Sequence, residues 1–290
     1  MIHLPALYEP ALSYLAIRPD GIYVDATFGA GGHSRGILER LQGGRLIALD
    51  ADPAASARAA EIVNPAFTFV HVNFSALSRV LDECNVELID GILFDLGVSS
   101  MQFDEGQRGF SFRENAPLDM RMNPHVGKSA YDVLMTASES ELADIFFHYG
   151  QERAARRIAR VVVARRLSGT LPTTTVEFAQ MISGLLHTPG KRERIHPATR
   201  VFQALRIAVN DELDALKEGL DVAVGRLRGA GRVVAISFHS LEDRIVKHAL
   251  RADDRVEVLT RKPIVADEAE LERNARARSA KLRAAKRKAS

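Results

Sequence analysis

In the N-terminal third of the chain, two kinds of hydrophobic pattern alternate. Short apolar runs rich in β-branched and aromatic residues occur at Ile22–Val24, Arg45–Asp50, Phe67–Asn73 and Leu88–Asp95. They read as buried or half-buried strands. Between them, apolar residues recur every three or four positions, as on one face of a helix. Ser34–Leu41 carries Ile37, Leu38 and Leu41 on such a face, and Phe74–Glu83 carries Leu77, Val80 and Leu81. Pro53–Ile62 opens with a proline suited to a first helical turn. Pro10–Leu15 is a short helical lead-in. Strands separated by helices predict a parallel sheet covered by helices.

The alternation then stops. The next buried-strand pattern is Gly231–Phe238, about 130 residues beyond Asp95, far longer than an ordinary connection. Much of the gap has helical periodicity. Ser138–Tyr149 begins with Ser138 and Glu141 spaced as a capping box. Gln151–Leu167 sets Ile158, Val161 and Val162 against Arg153, Arg156, Arg157 and Arg160, and Thr175–Leu186 and Thr199–Val209 follow. Residues 104–206 are therefore expected to form an inserted helical subdomain, and residues 1–103 with 207–290 the core. Asn210–Arg228 is the helix that returns to the sheet. Ser240–Leu250 reads as a helix and Arg255–Arg261 as a strand, while Ser279–Ala284 reads as a final edge strand or an Ala-rich helix. The expected class is α/β: a doubly wound, Rossmann-like core with an inserted helical subdomain.

Composition agrees with a folded protein, at 46% apolar and 26% charged residues. No apolar run approaches the ~18 residues of a membrane-spanning helix, and Met1–Pro10 lacks the pattern of a secretory signal. Cys84 is the only cysteine, so neither a disulfide within the chain nor a cysteine zinc cluster is expected. These features point to the cytoplasm and away from a membrane. The net charge is +2, but residues 273–290 hold eight Lys or Arg and no acid, leaving −6 on the rest. A basic tail on an acidic body suits a polyanion such as nucleic acid, or is simply a solvated tail.

The candidate chemistry begins at Gly21–His33, where a strand ends at Asp25 and passes through Gly29, Gly31 and Gly32 into a helix. In doubly wound sheets, ligands bind at such strand ends. Arg45–Asp50 ends in a second acid, placed to accept hydrogen bonds from both hydroxyls of an adenosine ribose. A turn without a ligand is one alternative. A dinucleotide site is another, although its G-x-G-x-x-G pattern would need glycine where Ser34 stands. Leu88–Asp95 ends in an acid in the same way.

Six stretches carry a resemblance. They are Asp25-Ala-Thr-Phe-Gly-Ala-Gly-Gly-His-Ser34, Asp95-Leu-Gly-Val-Ser-Ser100, Arg108-Gly-Phe-Ser-Phe112, Pro117-Leu-Asp-Met-Arg-Met122, His196-Pro-Ala-Thr-Arg-Val-Phe-Gln-Ala-Leu-Arg206 and Ile236-Ser-Phe-His-Ser-Leu-Glu-Asp-Arg-Ile-Val-Lys247. In order, they resemble the ribosomal RNA small subunit methyltransferase H family over nearly the whole chain, and the resemblance implies a class I (Rossmann-like) SAM-dependent methyltransferase core with an inserted helical subdomain. The resemblance implies methylation of N4 of cytidine 1402 in 16S rRNA of the small ribosomal subunit. It implies S-adenosyl-L-methionine (SAM) as methyl donor and S-adenosylhomocysteine as product. One departure is Asn274-Ala-Arg-Ala-Arg-Ser279, where the family has Pro in second place.

The resemblance also implies a site. Gly31, Gly32, His33, Asp50, Phe74, Asp95 and Gln102 match SAM-contact positions. Asp95 is the catalytic candidate, because a carboxylate that accepts the N4–H of cytosine would orient a weakly nucleophilic amine. A sulfonium is already a good leaving group, so no metal is expected. Arg113, Arg121, Arg200, Arg244 and Lys247, with the basic tail, are candidates to meet RNA phosphates. His239 and Ser240 read either as a catalytic pair or, preferably, as a turn shaping the pocket. The competing functions are a nicotinamide-dependent oxidoreductase and a non-catalytic RNA-binding or assembly factor.

Overall fold

The computed structural model describes residues 5–98, 106–187 and 195–289. The chain divides into two compact units, residues 1–97 with 213–290, and residues 98–212. The division falls six residues before the expected 103/104 boundary and six after the expected 206/207 boundary.

The first unit is built on a seven-stranded sheet in the order β3-β2-β1-β4-β5-β7-β6. The strands are β1 (Ile22–Asp25), β2 (Arg45–Asp50), β3 (Phe67–His71), β4 (Ile89–Asp95), β5 (Leu227–Ser237), β6 (Val256–Val258) and β7 (Lys281–Arg287). β3, β2, β1, β4 and β5 run parallel, and β7 is antiparallel to both β5 and β6. Sequence order reverses between β1 and β4, which is where an open α/β sheet leaves a crevice at its carboxyl edge.

Alternation along the central strands explains the two covered faces. Ile92 and Phe94 of β4, with Val233 and Ala235 of β5, point to one side. There they meet α4 (Leu77–Glu83), α10 (Glu212–Arg226) and α11 (Ser240–Ala252) through Leu77, Leu81, Leu216, Leu220, Val246 and Leu250. Leu93, Val234 and Ile236 point to the other. They meet α1 (Tyr8–Leu15) and α2 (Gly32–Leu38) through Leu12, Leu15 and Ile37. The remaining helices of this unit are α3 (Ala54–Ala60) and α12 (Glu268–Arg273).

Several expectations change in detail. Lys281–Arg287 is a strand but not an edge strand, because it pairs with β5 on one side and β6 on the other. Small Ala284 and Ala285, both fully buried, fit that interior place. The basic tail is therefore part of the sheet: Arg283 is 6% exposed and donates to Asp243 at 2.6 Å. The strand expected at Arg255–Arg261 shortens to Val256–Val258, with Arg255 held by Asp253 and Asp221 instead. β5 starts earlier than expected, at Leu227, and its ladder with β4 is irregular between Ile89 and Gly91. Phe74–Ala76 is a 3-10 turn before α4, not helix proper.

The second unit is helical. It contains α5 (Ala130–Thr136), α6 (Glu139–His148), α7 (Ala155–Leu167), α8 (Thr175–Leu186) and α9 (Thr199–Asn210). Ser138 and Glu141 form the expected capping box, and Ser129 with Asp132 forms a second. Each satisfies two donors that a helix start leaves open. Leu134, Leu142, Phe146, Ile158, Val162, Phe178, Ile182, Phe202 and Leu205 build a separate core. Asp211, in the left-handed region at φ 49°, ends α9.

Candidate active site

The site grows from the carboxyl ends of β1, β2 and β4. The loop after β1 turns at Phe28, whose carbonyl accepts the Gly31 N–H at 2.7 Å. Gly31 then caps α2 with φ 77°, and a Cβ there would lie 2.7 Å from the Phe28 ring. Only glycine meets both demands. Asp50, at the end of β2, fixes the same loop: its Oδ2 accepts from Gly29 N at 2.6 Å and its Oδ1 from Asp52 N at 2.8 Å. Each carboxylate oxygen keeps acceptor capacity for a ligand hydroxyl. Burial pushes the Asp50 carboxyl above its ordinary pKa, and the two backbone N–H groups oppose that shift.

Asp25, at the end of β1, is fully buried. Its Oδ2 accepts from Ser34 Oγ at 2.7 Å and its Oδ1 from Thr27 N at 3.2 Å. Thr27 Oγ1 in turn accepts from Asp95 N at 2.6 Å, which ties β1 to the end of β4. Burial raises the Asp25 pKa to about 6, with Ser34 and Thr27 opposing. Asp95 Oδ2 lies 3.6 Å from His33 Nδ1. His33 is 4% exposed and stacks on Tyr8 at 5.9 Å. Burial lowers its pKa to about 4, so near neutral pH the imidazole is uncharged and the contact is not an ion pair.

Two buried polar atoms in this cluster have no hydrogen-bond partner, Asp95 Oδ1 and His33 Nε2. Buried polar atoms without partners are rare and ask for a reason. The Asp95 pKa is raised well above its ordinary value, first by burial and then by the Asp25 and Glu242 carboxylates. Glu242 accepts from the backbone N–H groups of Phe238 at 2.8 Å and His239 at 3.3 Å. Among the described residues, no Lys or Arg makes an ion pair with Asp25, Asp50 or Asp95. The arrangement is matched to a ligand that brings positive charge and hydrogen-bond donors.

Gly31, Gly32, His33, Asp50 and Asp95 thus come together as the sequence suggested. Phe74 follows β3 and packs edge-on against Phe94, with ring centroids 5.5 Å apart. It is also close to Gly219, where an added Cβ would lie 2.9 Å from the ring. Gln102 lies outside the described residues. Arg244 is exposed and Lys247 half-buried on α11, and Arg113 is exposed in the helical unit. Arg121 is occupied: Nε and Nη2 donate to Asp119 at 2.9 and 2.6 Å. Arg200 sits 4.0 Å from Glu152. His239 caps α11, its Nδ1 accepting from Glu242 N at 3.4 Å, which is the turn reading of the His239–Ser240 pair. Sequence reasoning gave no role to Asp25, Thr27 or Ser34. The available signal was that Asp25 ends its strand as Asp50 and Asp95 end theirs.

The chain matches the MraW methylase family over residues 1–288. It is 49% identical to the ribosomal RNA small subunit methyltransferase H of Thiobacillus denitrificans, covering 98% of this chain and 97% of that protein. It is 50% identical to the protein of the same name from Trichormus variabilis, covering 99% and 92%. Among solved structures, an rRNA methylase from Streptococcus thermophilus covers 99% of both chains at 12% identity, with a TM-score of 0.46.

Proposed function

The chain belongs to the MraW methylase family, and from that premise we propose that it methylates N4 of cytidine 1402 in 16S rRNA of the small ribosomal subunit, with SAM as methyl donor. The reaction takes place in the cytoplasm. The observation that carries this reading is Asp95 Oδ1, a buried acceptor with no partner at the end of β4. It stands beside a glycine loop clamped by a second strand-end acid, Asp50.

The residues present fit the donor. Asp50 retains acceptor sites for two ribose hydroxyls. The backbone of Gly31 and Gly32 is open to close approach because no side chain covers it. Phe74 and Gln102 complete the proposed contacts. When bound, SAM supplies a methyl group on a cationic sulfonium. A positive charge beside Asp95 and Asp25 favours their ionised forms and reverses the effect of burial.

Asp95 does the work on the acceptor. The exocyclic amine of cytosine is a poor nucleophile because its lone pair is delocalised into the ring. A carboxylate accepting one N4–H holds the amine in line and localises that pair. As the N–C bond forms at the expense of the sulfur–methyl bond, N4 would be left with a surplus proton, and Asp95 would accept it. His33, neutral and buried, lies 3.6 Å from Oδ2 and does not neutralise it, and its backbone belongs with Gly31 and Gly32 to the proposed SAM contacts. A base within folded RNA must leave its stack to reach such a pocket.

The test is methyl transfer from labelled SAM to undermethylated small subunits, followed by mass spectrometry of nuclease-generated oligonucleotides, which locate the methyl group, and of the digested nucleosides, which identify it. N4-methylcytidine at position 1402 supports the proposal. Methylation at another atom or nucleotide overturns it.

A further inference from the structure

The helical unit carries a charge pattern that its own fold does not explain. Arg153, Arg156, Arg157 and Arg160 are all exposed, and their spacing of i, i+3, i+4 and i+7 puts them on one face of α7 and its entry turn. The opposite face is the packed one, where Ile158, Ala159 and Val162 are fully buried. α7 contains no Asp or Glu. The acids in reach from neighbouring elements are few. Glu139, at the start of α6, comes within 3.9 Å of Arg160. Glu152 is 8% exposed and is spent on Ala154 N at 2.8 Å and on Arg200.

The position of the ridge is as telling as its charge. A helix start carries the positive end of the backbone dipole, and cations there are disfavoured. Arg156 and Arg157 stand in the first turn of α7, and Arg153 stands just before it. The other end of the helix shows what a structural arginine does. Arg166, in the last turn, donates to the carbonyls of Leu134 at 3.0 Å and Ala137 at 2.8 Å. The ridge arginines make no such bonds among the described residues. The positive end of the helix dipole and the exposed guanidinium groups beside it together favour an anion.

We propose that Arg153, Arg156, Arg157 and Arg160 form a ridge that grips the phosphate backbone of the RNA substrate. The proposal rests on the reading of the chain as an RNA methyltransferase and gives that reading a specific surface. From Arg153 to Arg160 the ridge is ~10 Å long at helical rise, enough for roughly three successive phosphates of one strand. Guanidinium groups suit phosphate because their planar fork donates two parallel hydrogen bonds. The ridge reads no sequence; it fixes where the strand runs, and base recognition remains with the active site.

The test is direct binding of a labelled, unmodified small-subunit RNA transcript between about 50 and 200 mM salt. Wild type is compared with a variant carrying Arg153→Gln, Arg156→Gln, Arg157→Gln and Arg160→Gln. Glutamine keeps the helix propensity, and circular dichroism and SAM affinity check the fold. The expected result is RNA affinity lowered by at least roughly tenfold and a salt slope shallower by about 3, close to one per lost contact. SAM affinity is expected to be unchanged. Replacing the same four positions by Lys should keep most of the slope and lose part of the affinity. Unchanged affinity and slope in the glutamine variant overturn the ridge, even if that variant binds assembled subunits less well, which would indicate a protein partner. Methyl transfer is measured in parallel. A wild type that binds RNA through the ridge yet forms no N4-methylcytidine would overturn the proposed reaction and leave the ridge standing.

Discussion

The β5-β7-β6 side of the sheet and the carboxyl ends of β1, β2 and β4 treat their carboxylates in opposite ways. On the β5-β7-β6 side, acids are matched with bases. Asp243 receives Arg283 at 2.6 Å and Lys281 at 3.6 Å. Glu257 receives Lys286 at 3.6 Å, and Asp253 receives Arg255 at 2.6 Å. Burial pushes Asp243 upward, but Arg283 and Lys281 outweigh it and hold its pKa below the ordinary value. On the β2-β1-β4 side, Asp25, Asp50 and Asp95 accept hydrogen bonds from backbone or hydroxyl groups or stand beside a neutral histidine, and the pKa of each is raised. Matched acids hold strands together. Acids left without an ion pair cost stability, and raised pKa values of this kind cluster at functional sites.

The contrast breaks most sharply at Asp95. Asp95→Asn should lower methyl transfer by ~10²–10⁴-fold and at the same time raise the melting temperature, because it removes a poorly solvated carboxylate. Loss of activity together with loss of stability would show Asp95 to be structural. On the matched side the sign reverses. Arg283→Met should destabilise the protein by about 3 kcal/mol, the low end for a broken buried pair, since Asp243 keeps Lys281 at 3.6 Å. Urea denaturation would measure it, and a neutral result would dissolve the distinction between the halves.

Acidity sharpens the comparison further. The folded pKa of His33 is depressed from 6.5 to about 4. Its contribution is fully present above pH 6.5 and is lost as pH falls towards 4, a swing of about 3 kcal/mol. Asp25, raised from 3.8 to about 6, acts the other way and favours the fold more as pH falls through that window. The two oppose one another in the wild type, and the raised pKa values of Asp50 and Asp95 add to the Asp25 side, so each variant is read relative to wild type. His33→Asn should therefore gain stability between pH 6.5 and pH 4, and Asp25→Asn should lose it, as read from denaturation midpoints at each pH. The smallest effect is expected at Asp50. Asp50→Ala should weaken SAM binding roughly 10- to 100-fold, equivalent to ~1.5–3 kcal/mol for hydrogen bonds to a charged group, measured by calorimetry.

Much of this was legible in the sequence because it is local. Apolar runs ending at Asp50 and Asp95, and glycines after Asp25, announce a strand-end site whatever the sheet order. The helical insertion showed itself as a gap in the strand pattern. What stayed hidden depended on distant pairing. Nothing in Lys281–Arg287 says that it enters between β5 and β6, and Arg283 reads as a tail cation until Asp243, forty residues away, is placed beside it. The burial of His33 is equally non-local, since it depends on Tyr8. Arg121 is a different case. Its partner Asp119 stands two residues away, so the engagement of that cation could have been anticipated.

The sheet also sets a schedule. β4 pairs with β1 on one edge and with β5 on the other, yet 132 residues separate Asp95 from Leu227. At ~5–20 residues per second, a ribosome takes roughly 7 to 26 s to cross that interval. Throughout it, one side of β4 is an open edge able to pair with other chains. The helical unit, encoded within the interval, has local contacts and can fold while the edge waits. The nascent chain thus carries β4 half-paired for much of its own synthesis, a window in which chaperone protection, or its absence, would decide the yield of folded protein.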